Sequence, residues 1–129
     1  MTDKRIDSPL ADDDGDAIKR ITPARFAELD KSTVTLLDLR EPDEVLVHGL
    51  DGAINIPFNK IGTRLSQVPN DKPVVVFCRV GDWSEQVTEI LADRGYDAIN
   101  LDGGFQAYRE YLASLPQQRE NDVDDEIGR

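Results

Sequence analysis

The chain has 129 residues, 39% of them hydrophobic, which is enough for one domain with a core of its own. Its formal net charge of −11 argues against nucleic acid or an anionic membrane as a partner, because both repel an acidic protein. One cysteine excludes an internal disulfide, and one cysteine with one histidine excludes a zinc site of the cysteine–histidine type.

The single cysteine also indicates in which cellular compartment the protein works. A free thiol is typical of a reducing environment, since small secreted domains use their cysteines in disulfides. No apolar run approaches the length of a membrane span, and the acidic amino terminus has no signal-peptide pattern. We therefore expect a cytoplasmic protein with no membrane partner. A monomer is a separate expectation.

The negative charge is concentrated at both ends of the chain. Residues 1–16 carry six acidic residues against two basic ones, giving −4, and residues 117–129 carry five against two, giving −3. Such segments cannot bury enough apolar surface to fold. We expect two acidic disordered tails around one domain at 17–116, with docking of basic partners as the alternative role of the tails.

The domain opens with a short predicted strand at 18–21. Thr22 and Pro23 follow it as a helix cap and a first-turn proline, and they predict a brief helix. A second strand is predicted at 34–39, and residues 40–44 turn it into a short helical segment.

The middle of the domain continues this alternation. A third strand is predicted at 53–56 and is ended by Pro57. Ile61 and Leu65 stand four residues apart and indicate a short helix at 59–68, before a dense turn signal.

The fourth predicted strand ends on the only cysteine. Four β-forming residues in succession, at 74–77, indicate a strand that is buried on both faces. A polar loop and a helical pattern follow Cys78, with Gly95 at the expected helix stop. The first amides of that helix have no internal partner and carry the positive end of the helix dipole, so we expect the thiol to ionise easily.

Hydrogen bonds must supply most of this activation. Lowering a thiol pKa by two units from about 8.5 needs about 2.7 kcal/mol. The helix dipole contributes about 0.3–1 kcal/mol, whereas each hydrogen bond to a charged sulfur adds about 1.5–3 kcal/mol. Gly81, in the middle of the loop, frees the backbone to curl its amides around the sulfur.

A fifth strand is predicted at 98–101, and Asp102-Gly103-Gly104 opens the last helix. Phe105, Tyr108 and Tyr111 fall at helical spacing in that helix, which predicts core packing rather than a base-stacking surface. Strands that alternate with helices predict an α/β fold, with a mostly parallel five-stranded sheet and helices on both faces. Ligands bind at the carboxyl ends of strands in such sheets, and Cys78 lies at one of these ends.

Three segments together resemble the rhodanese family of single-domain sulfurtransferases. They are Leu37-Asp38-Leu39-Arg40-Glu41-Pro42, Cys78-Arg79-Val80-Gly81-Asp82-Trp83-Ser84 and Leu101-Asp102-Gly103-Gly104-Phe105. The resemblance runs from about Ile18 to Leu115. It implies a rhodanese-like fold and covalent catalysis in which Cys78 carries sulfur as a persulfide, with no metal and no organic cofactor.

The resemblance also implies substrates and site residues. Sulfane sulfur would pass from a small donor, such as thiosulfate or mercaptopyruvate, to a thiol, cyanide or a sulfur-carrier protein. The loop would cradle the persulfide or the leaving anion, and its residues are Arg79, Val80, Gly81, Asp82, Trp83 and Ser84. The Arg79 side chain either attracts an anionic donor or packs on the flank of the loop. Asp38 and Arg40 either form a supporting pair that positions the loop or an ordinary structural pair away from the chemistry.

Two loop residues depart from the common family pattern. A carboxylate at Asp82, about 7 Å from the sulfur, would oppose the thiolate by about 2 kcal/mol at an effective dielectric constant near 20. Asp82 stands three residues before Glu85 in a capping-box pattern, so we expect its carboxylate to turn towards the helix amides. Trp83 walls the pocket, offers a docking surface to a protein acceptor, or is an exposed aromatic with no role.

The segment from His48 to Pro57 resembles the family pattern with its first histidine and glycine transposed. We expect His48 to be a loop residue that satisfies backbone groups, rather than a general base or a ligand.

Two other functions compete with sulfur transfer. Cysteine phosphatases and arsenate reductases use a similar strand–loop–helix, but they need an arginine six residues after the cysteine, where this chain has Ser84. The stronger alternative is a binding or redox-sensing module that kept the fold and lost turnover because of Asp82 and Trp83.

Overall fold

The computed structural model describes residues 18–116, so both predicted tails lie outside the described residues. The five strands are β1 (Lys19–Ile21), β2 (Thr35–Asp38), β3 (Ile54–Asn55), β4 (Val74–Phe77) and β5 (Ala98–Leu101). The five α-helices are α1 (Pro23–Glu28), α2 (Pro42–Val47), α3 (Ile61–Arg64), α4 (Asp82–Asp93) and α5 (Gly104–Ala113). Short 3₁₀ turns cover Lys31–Thr33, Phe58–Lys60 and Leu65–Gln67.

The strands form one sheet in the order β1-β5-β4-β2-β3, and every pairing in it is parallel. Strand β4 lies at the centre, with Val76 paired to Leu37 of β2 on one side and to Asn100 of β5 on the other. All four residues of β4 are fully buried, as the unbroken apolar run predicts. The predicted α/β fold with a five-stranded parallel sheet is confirmed.

Two hydrophobic clusters cover the two faces of the sheet. On one face, Val74 and Val76 pack with Val87 and Leu91 of α4. On the other face, the alternate β4 residues pack with α1 and α5, in a cluster that includes Val75, Phe77, Phe26, Phe105 and Tyr108. Successive strand residues point to opposite faces, so one strand contributes to both cores.

Tyr108 shows how the last helix is held. It is buried, and its ring meets that of Phe26 edge to face at 5.0 Å between centroids. Burial raises the pKa of the Tyr108 hydroxyl above its usual value. The predicted core role of this aromatic is confirmed.

Some boundaries differ from the predictions. The segment predicted as one helix at 59–68 is divided into a 3₁₀ turn, the one-turn helix α3 and a second 3₁₀ turn. Gly62 and Ser66 have low helix propensity. Ile61 and Leu65 are already buried by these short elements, so a longer helix is not needed to bury them. Strand β3 has two residues rather than four, since Pro57 follows it closely. Among residues 18–116, no helix is long and apolar enough to cross a membrane.

Candidate functional site

Cys78 follows the last residue of β4 and lies at the carboxyl edge of the sheet. Its side chain is only 3% exposed, yet it lines a pocket of about 280 Å³ together with residues from the loop that follows it. The site therefore combines a nucleophilic sulfur with a small cavity at the edge where parallel sheets bind ligands.

Gly81 fixes the loop around the sulfur. Its amide donates a hydrogen bond to Cys78 Sγ at 3.1 Å, and its φ of 107° lies in the left-handed region that favours glycine. Within residues 18–116 this is the one backbone amide that hydrogen bonds to Sγ, whereas the sequence led us to expect several. The backbone group that bonds to the sulfur is thus a single amide, and it belongs to the N-cap residue of α4.

A buried hydroxyl lies on the other side of the sulfur. Ser84 Oγ is 3.6 Å from Cys78 Sγ and donates to Asn100 Oδ1 at 2.5 Å, while Gly81 O is 3.1 Å away. Ser84 and Asn100 are both buried. The serine was predicted as a site residue, but Asn100 was missed. The available signal was a polar residue inside an otherwise apolar predicted strand.

The network continues from Asn100 to the surface. Asn100 Nδ2 donates to Asp102 Oδ1 at 3.4 Å, and Arg20 bonds to both Asp102 at 3.2 Å and Glu85 at 2.8 Å. The hydrogen bond to Glu85, and then that to Asp102, raise the pKa of the Arg20 guanidinium. A chain of polar contacts therefore joins the thiol to an ion-pair cluster on β1 and α4.

The predicted capping role of Asp82 is wrong. The N-cap of α4 is Gly81, and Asp82 is the exposed first residue of the helix with no side-chain cap bond. The left-handed glycine takes the cap position, and Arg20 holds Glu85, the other half of the proposed box. The Asp82 side chain lines the pocket of Cys78 instead.

The turn that precedes α5 supports the loop that follows Cys78. We call residues 78–81 the cysteine loop and residues 102–104 the glycine loop. The amide of Phe105 donates to Cys78 O at 2.9 Å, and that of Gln106 donates to Arg79 O at 3.0 Å. A Cβ on Gly104 would lie 2.5 Å from Arg79 O, so only glycine allows the two loops to approach this closely.

Asp38 and Arg40 form the predicted buried pair. Arg40 Nε donates to Asp38 Oδ1 at 3.0 Å and Arg40 Nη2 donates to Asp38 Oδ2 at 2.9 Å, with both side chains nearly inaccessible. Arg40 also donates to His48 O at 2.7 Å, and its guanidinium lies 4.1 Å from the Phe105 ring centroid. Arg40 lines the pocket of Cys78, so the pair lies beside the candidate site rather than away from it.

The remaining loop side chains form the rim of the pocket. Arg79 is mostly exposed, and its Nε lies 3.5 Å from Glu44 Oε2. Trp83 stacks on Phe58, with ring centroids 4.7 Å apart and planes inclined by 11°. The ring is 48% exposed and lines the pocket, as does Val80, which is 50% exposed.

His48 lies at the carboxyl end of α2, with an exposed side chain. Its carbonyl accepts the bond from Arg40, so it satisfies a buried side chain through its backbone. It also lines a second cavity of about 700 Å³, which shares Arg40, Glu44 and Arg79 with the pocket of Cys78. The two cavities are therefore adjacent.

Comparisons with known proteins agree on one family. The model of the rhodanese-like domain matches residues 22–111. A protein named sulfurtransferase from Allochromatium vinosum is 35% identical over 83 residues, which cover 64% of this chain and 78% of that protein. Thiosulfate sulfurtransferase GlpE of Ectopseudomonas mendocina is 27% identical over 101 residues, which cover 78% of this chain and 93% of that protein.

A solved structure shows the same architecture. The crystal structure of a rhodanese-related protein from Thermoplasma volcanium matches with a TM-score of 0.67 at 29% identity, covering 71% of this chain and 91% of that chain. The residues matched by the family model include the cysteine loop, the glycine loop and the Asp38–Arg40 pair.

Proposed function

Because the chain belongs to the rhodanese-like domain family, we propose that it is a sulfurtransferase that carries a sulfane sulfur as a persulfide on Cys78. Relatives named sulfurtransferase support this activity at the level of the family. The small donor, of the thiosulfate or mercaptopyruvate type, and the final acceptor belong to the proposal, as do the monomeric state and the cytoplasmic location.

The proposed reaction has two displacement steps. The Cys78 thiolate attacks the outer sulfur of the donor, a new S–S bond forms, and the donor leaves with the electron pair of its broken bond, as sulfite when the donor is thiosulfate. A thiolate or cyanide then attacks the outer sulfur of the persulfide. Cys78 leaves as a thiolate, so the enzyme is regenerated without an external oxidant or reductant.

One observation carries the proposal: the Cys78 sulfur faces a pocket and accepts a hydrogen bond from Gly81 N at 3.1 Å. A hydrogen-bond donor beside the sulfur stabilises the negative charge that returns to Cys78 when it leaves the persulfide. Ser84 is buried, and its hydroxyl lies 3.6 Å from the sulfur.

Mass spectrometry after incubation with thiosulfate tests the proposal. We expect one added sulfur on the wild-type protein, removed by cyanide or a thiol, and none on Cys78→Ser. If no sulfur is added with thiosulfate, mercaptopyruvate or a low-molecular-weight persulfide, the proposed activity is wrong.

A binding or redox-sensing module with little turnover is the second candidate. The burial of Cys78 and the position of Asp82 at its pocket favour it, since a carboxylate opposes the thiolate. The pH profile of Cys78 alkylation separates the two. A profile like that of free cysteine, unchanged in Asp82→Asn, would favour the module, whereas reaction at lower pH supports the transferase.

Phosphatase or arsenate reductase activity has weaker support. The sixth residue after Cys78 is Ser84, which is buried and bonded to Asn100, so this position holds no guanidinium for an oxyanion. Phosphatase turnover that disappears in Cys78→Ser would reverse this conclusion.

A further inference from the structure

The charges around the pocket of Cys78 are mainly negative. Three carboxylates and two guanidinium groups line it: Glu41, Glu44, Asp82, Arg40 and Arg79. Three carboxylates therefore outnumber two cations at the entrance to this pocket.

Both cations already have partners. The Arg40 guanidinium donates two hydrogen bonds to the carboxylate of Asp38, which is fully buried. Arg79 lies 3.5 Å from Glu44. In the part of the chain that the structure describes, neither Glu41 nor Asp82 makes an ion pair, and both are exposed. The Glu41 carboxylate accepts the backbone amide of Glu44 in the capping box of α2, whereas Asp82 makes no such bond. No cation neutralises either carboxylate, and Asp82 is the freer of the two, so together they repel an incoming anion and attract an incoming cation.

Apolar surface is exposed at this entrance and in the adjacent cavity. Val80 and Trp83 form one side, and stacking on Phe58 fixes the indole in place. The adjacent cavity is lined by Val47, which is 72% exposed and follows Leu46, exposed at 87%. An inorganic ion makes no use of such surface, whereas exposed aliphatic and aromatic side chains around a site are typical of protein contact surfaces.

We propose that the thiol that exchanges sulfur with Cys78 belongs to a protein segment whose cysteine is flanked by lysine or arginine and by apolar residues. This inference rests on the proposed function and names its macromolecular substrate class. The positive side chains face Glu41 and Asp82, and the apolar ones contact Val80 and Trp83. The net charge of −11 on the whole chain adds a long-range attraction for a basic partner.

The chemical step is the second displacement of the proposed reaction. The thiolate of the basic segment attacks the outer sulfur of the Cys78 persulfide, the S–S bond to Cys78 breaks, and its electron pair returns to Cys78. The proton lost by the incoming thiol goes to water, and no other reactant is required.

A binding experiment tests the recognition independently of sulfur transfer. Trp83 is the only tryptophan of the chain, so its fluorescence reports on this entrance. Two peptides of equal length, each with a central serine in place of cysteine and identical apolar neighbours, carry either two lysines or two glutamates. We expect the lysine peptide to bind at least tenfold more tightly at low salt, with the difference reduced at high salt. Equal affinities, or no binding of either peptide, would overturn the inference.

Charge reversal identifies the residue responsible. Asp82→Lys should abolish or invert the preference for the lysine peptide. Asp93→Lys makes the same charge change at the far end of the same helix and should leave the preference within twofold of wild type. If both variants behave alike, only the overall charge matters and the proposed entrance is wrong.

A transfer experiment extends the test to the reaction. Sulfur is loaded from excess small donor, the added mass is verified, and the donor is removed before the cysteine forms of the two peptides are added. Rates are normalised to the reaction of each peptide with an uncharged disulfide, which corrects for their different thiol acidities. We expect at least tenfold faster transfer to the lysine peptide. Failure to load sulfur would contradict the proposed function, whereas loading followed by equal transfer would contradict only this inference.

Discussion

The cysteine loop and the glycine loop are the same local device put to two uses. Each follows a buried parallel strand, each places a left-handed glycine at the start of a helix, and the two strands, β4 and β5, are neighbours. In the first loop, the amide of Gly81 bonds to the Cys78 sulfur. In the second, the first free amides of α5 bond to Cys78 O and Arg79 O.

The difference shows how a reactive loop is kept in shape. The amino terminus of a helix offers amides without partners, and these must bond to something. Helix α4 faces the candidate site, while α5 uses its amides to hold the carbonyls of the cysteine loop. The cysteine loop thus holds the reactive sulfur and the glycine loop holds the cysteine loop in place. Substitutions in the first should mainly change reaction rates, and substitutions in the second should mainly change stability.

The largest expected effect comes from replacing the sulfur in the first loop. Cys78→Ser should remove the persulfide and lower sulfur transfer by at least about a thousandfold, since a hydroxyl cannot carry sulfane sulfur. The free energy of unfolding should change by about 1 kcal/mol or less, because size and position are retained. Single-turnover transfer and urea unfolding measure the two quantities. Retained transfer would show that Cys78 is not the carrier.

The next largest effect should come from disrupting the contact between the glycine loop and the cysteine loop. In Gly104→Ala, the added methyl would lie 2.5 Å from Arg79 O at a φ of 71°, so the loops must separate. We expect a loss of about 2–4 kcal/mol in unfolding free energy by urea titration, with slower transfer.

Gly62→Ala is the matched control for this variant. Gly62 lies in α3 with no atom within 4 Å of the added methyl, so stability should stay unchanged or rise by about 1 kcal/mol. A Gly104→Ala protein as stable as Gly62→Ala would mean that the glycine loop does not restrain the cysteine loop.

A smaller effect is expected at the glycine of the first loop. Gly81→Ala strains a φ of 107° and brings a methyl within 3.3 Å of Gly103 N, which displaces the amide that bonds to the sulfur. We expect about 1–2 kcal/mol of lost stability and about tenfold slower persulfide formation. Gly95→Ala, at a φ of 94° with open space around it, should lose similar stability but no activity. Equal rates of persulfide formation in Gly81→Ala and Gly95→Ala would show that the Gly81 amide has no role in the reaction.

The smallest effect is expected beneath the sulfur. Ser84→Ala removes the hydroxyl near Sγ and leaves the Asn100 amide oxygen without its donor. We expect three- to tenfold slower persulfide formation and a stability loss of about 1–2 kcal/mol.

Thr88→Val separates these two effects. Thr88 lies in the same helix, and its buried hydroxyl donates to the backbone oxygen of Ser84 rather than to the Ser84 hydroxyl or the sulfur. Thr88→Val should lose about as much stability as Ser84→Ala and should form the persulfide at the wild-type rate in stopped-flow measurements. A loss of rate in Thr88→Val as large as in Ser84→Ala would point to the stability of α4 instead of the hydroxyl.

The strands and the position of the thiol were predictable because their signals are local. An apolar run such as 74–77 indicates a buried strand wherever it occurs, and the residue after it must lie at the strand end. The Asp38–Arg40 pair was also predictable, since two residues apart at the end of a strand can form a bidentate contact.

The polar network and the support between loops were not predictable, because they depend on neighbours in space. Asn100 reaches Ser84 only because β5 packs against α4, and Gly104 meets Arg79 only because β4 and β5 are adjacent. The expected cap at Asp82 failed for the same reason. A local pattern paired Asp82 with Glu85, whereas the folded chain brings Arg20 to Glu85 from β1.

The order of the strands has a consequence for synthesis on the ribosome. Cys78 emerges before the segment that shapes its surroundings, since the amides of Phe105 and Gln106 hold the carbonyls of Cys78 and Arg79. Among the described strands, β1 is made first but pairs only with β5, so its pairing waits until residues 98–101 have been made. In the nascent polypeptide, Cys78 is therefore made before the residues that hold its loop, and the loop gains its described contacts only once α5 has folded.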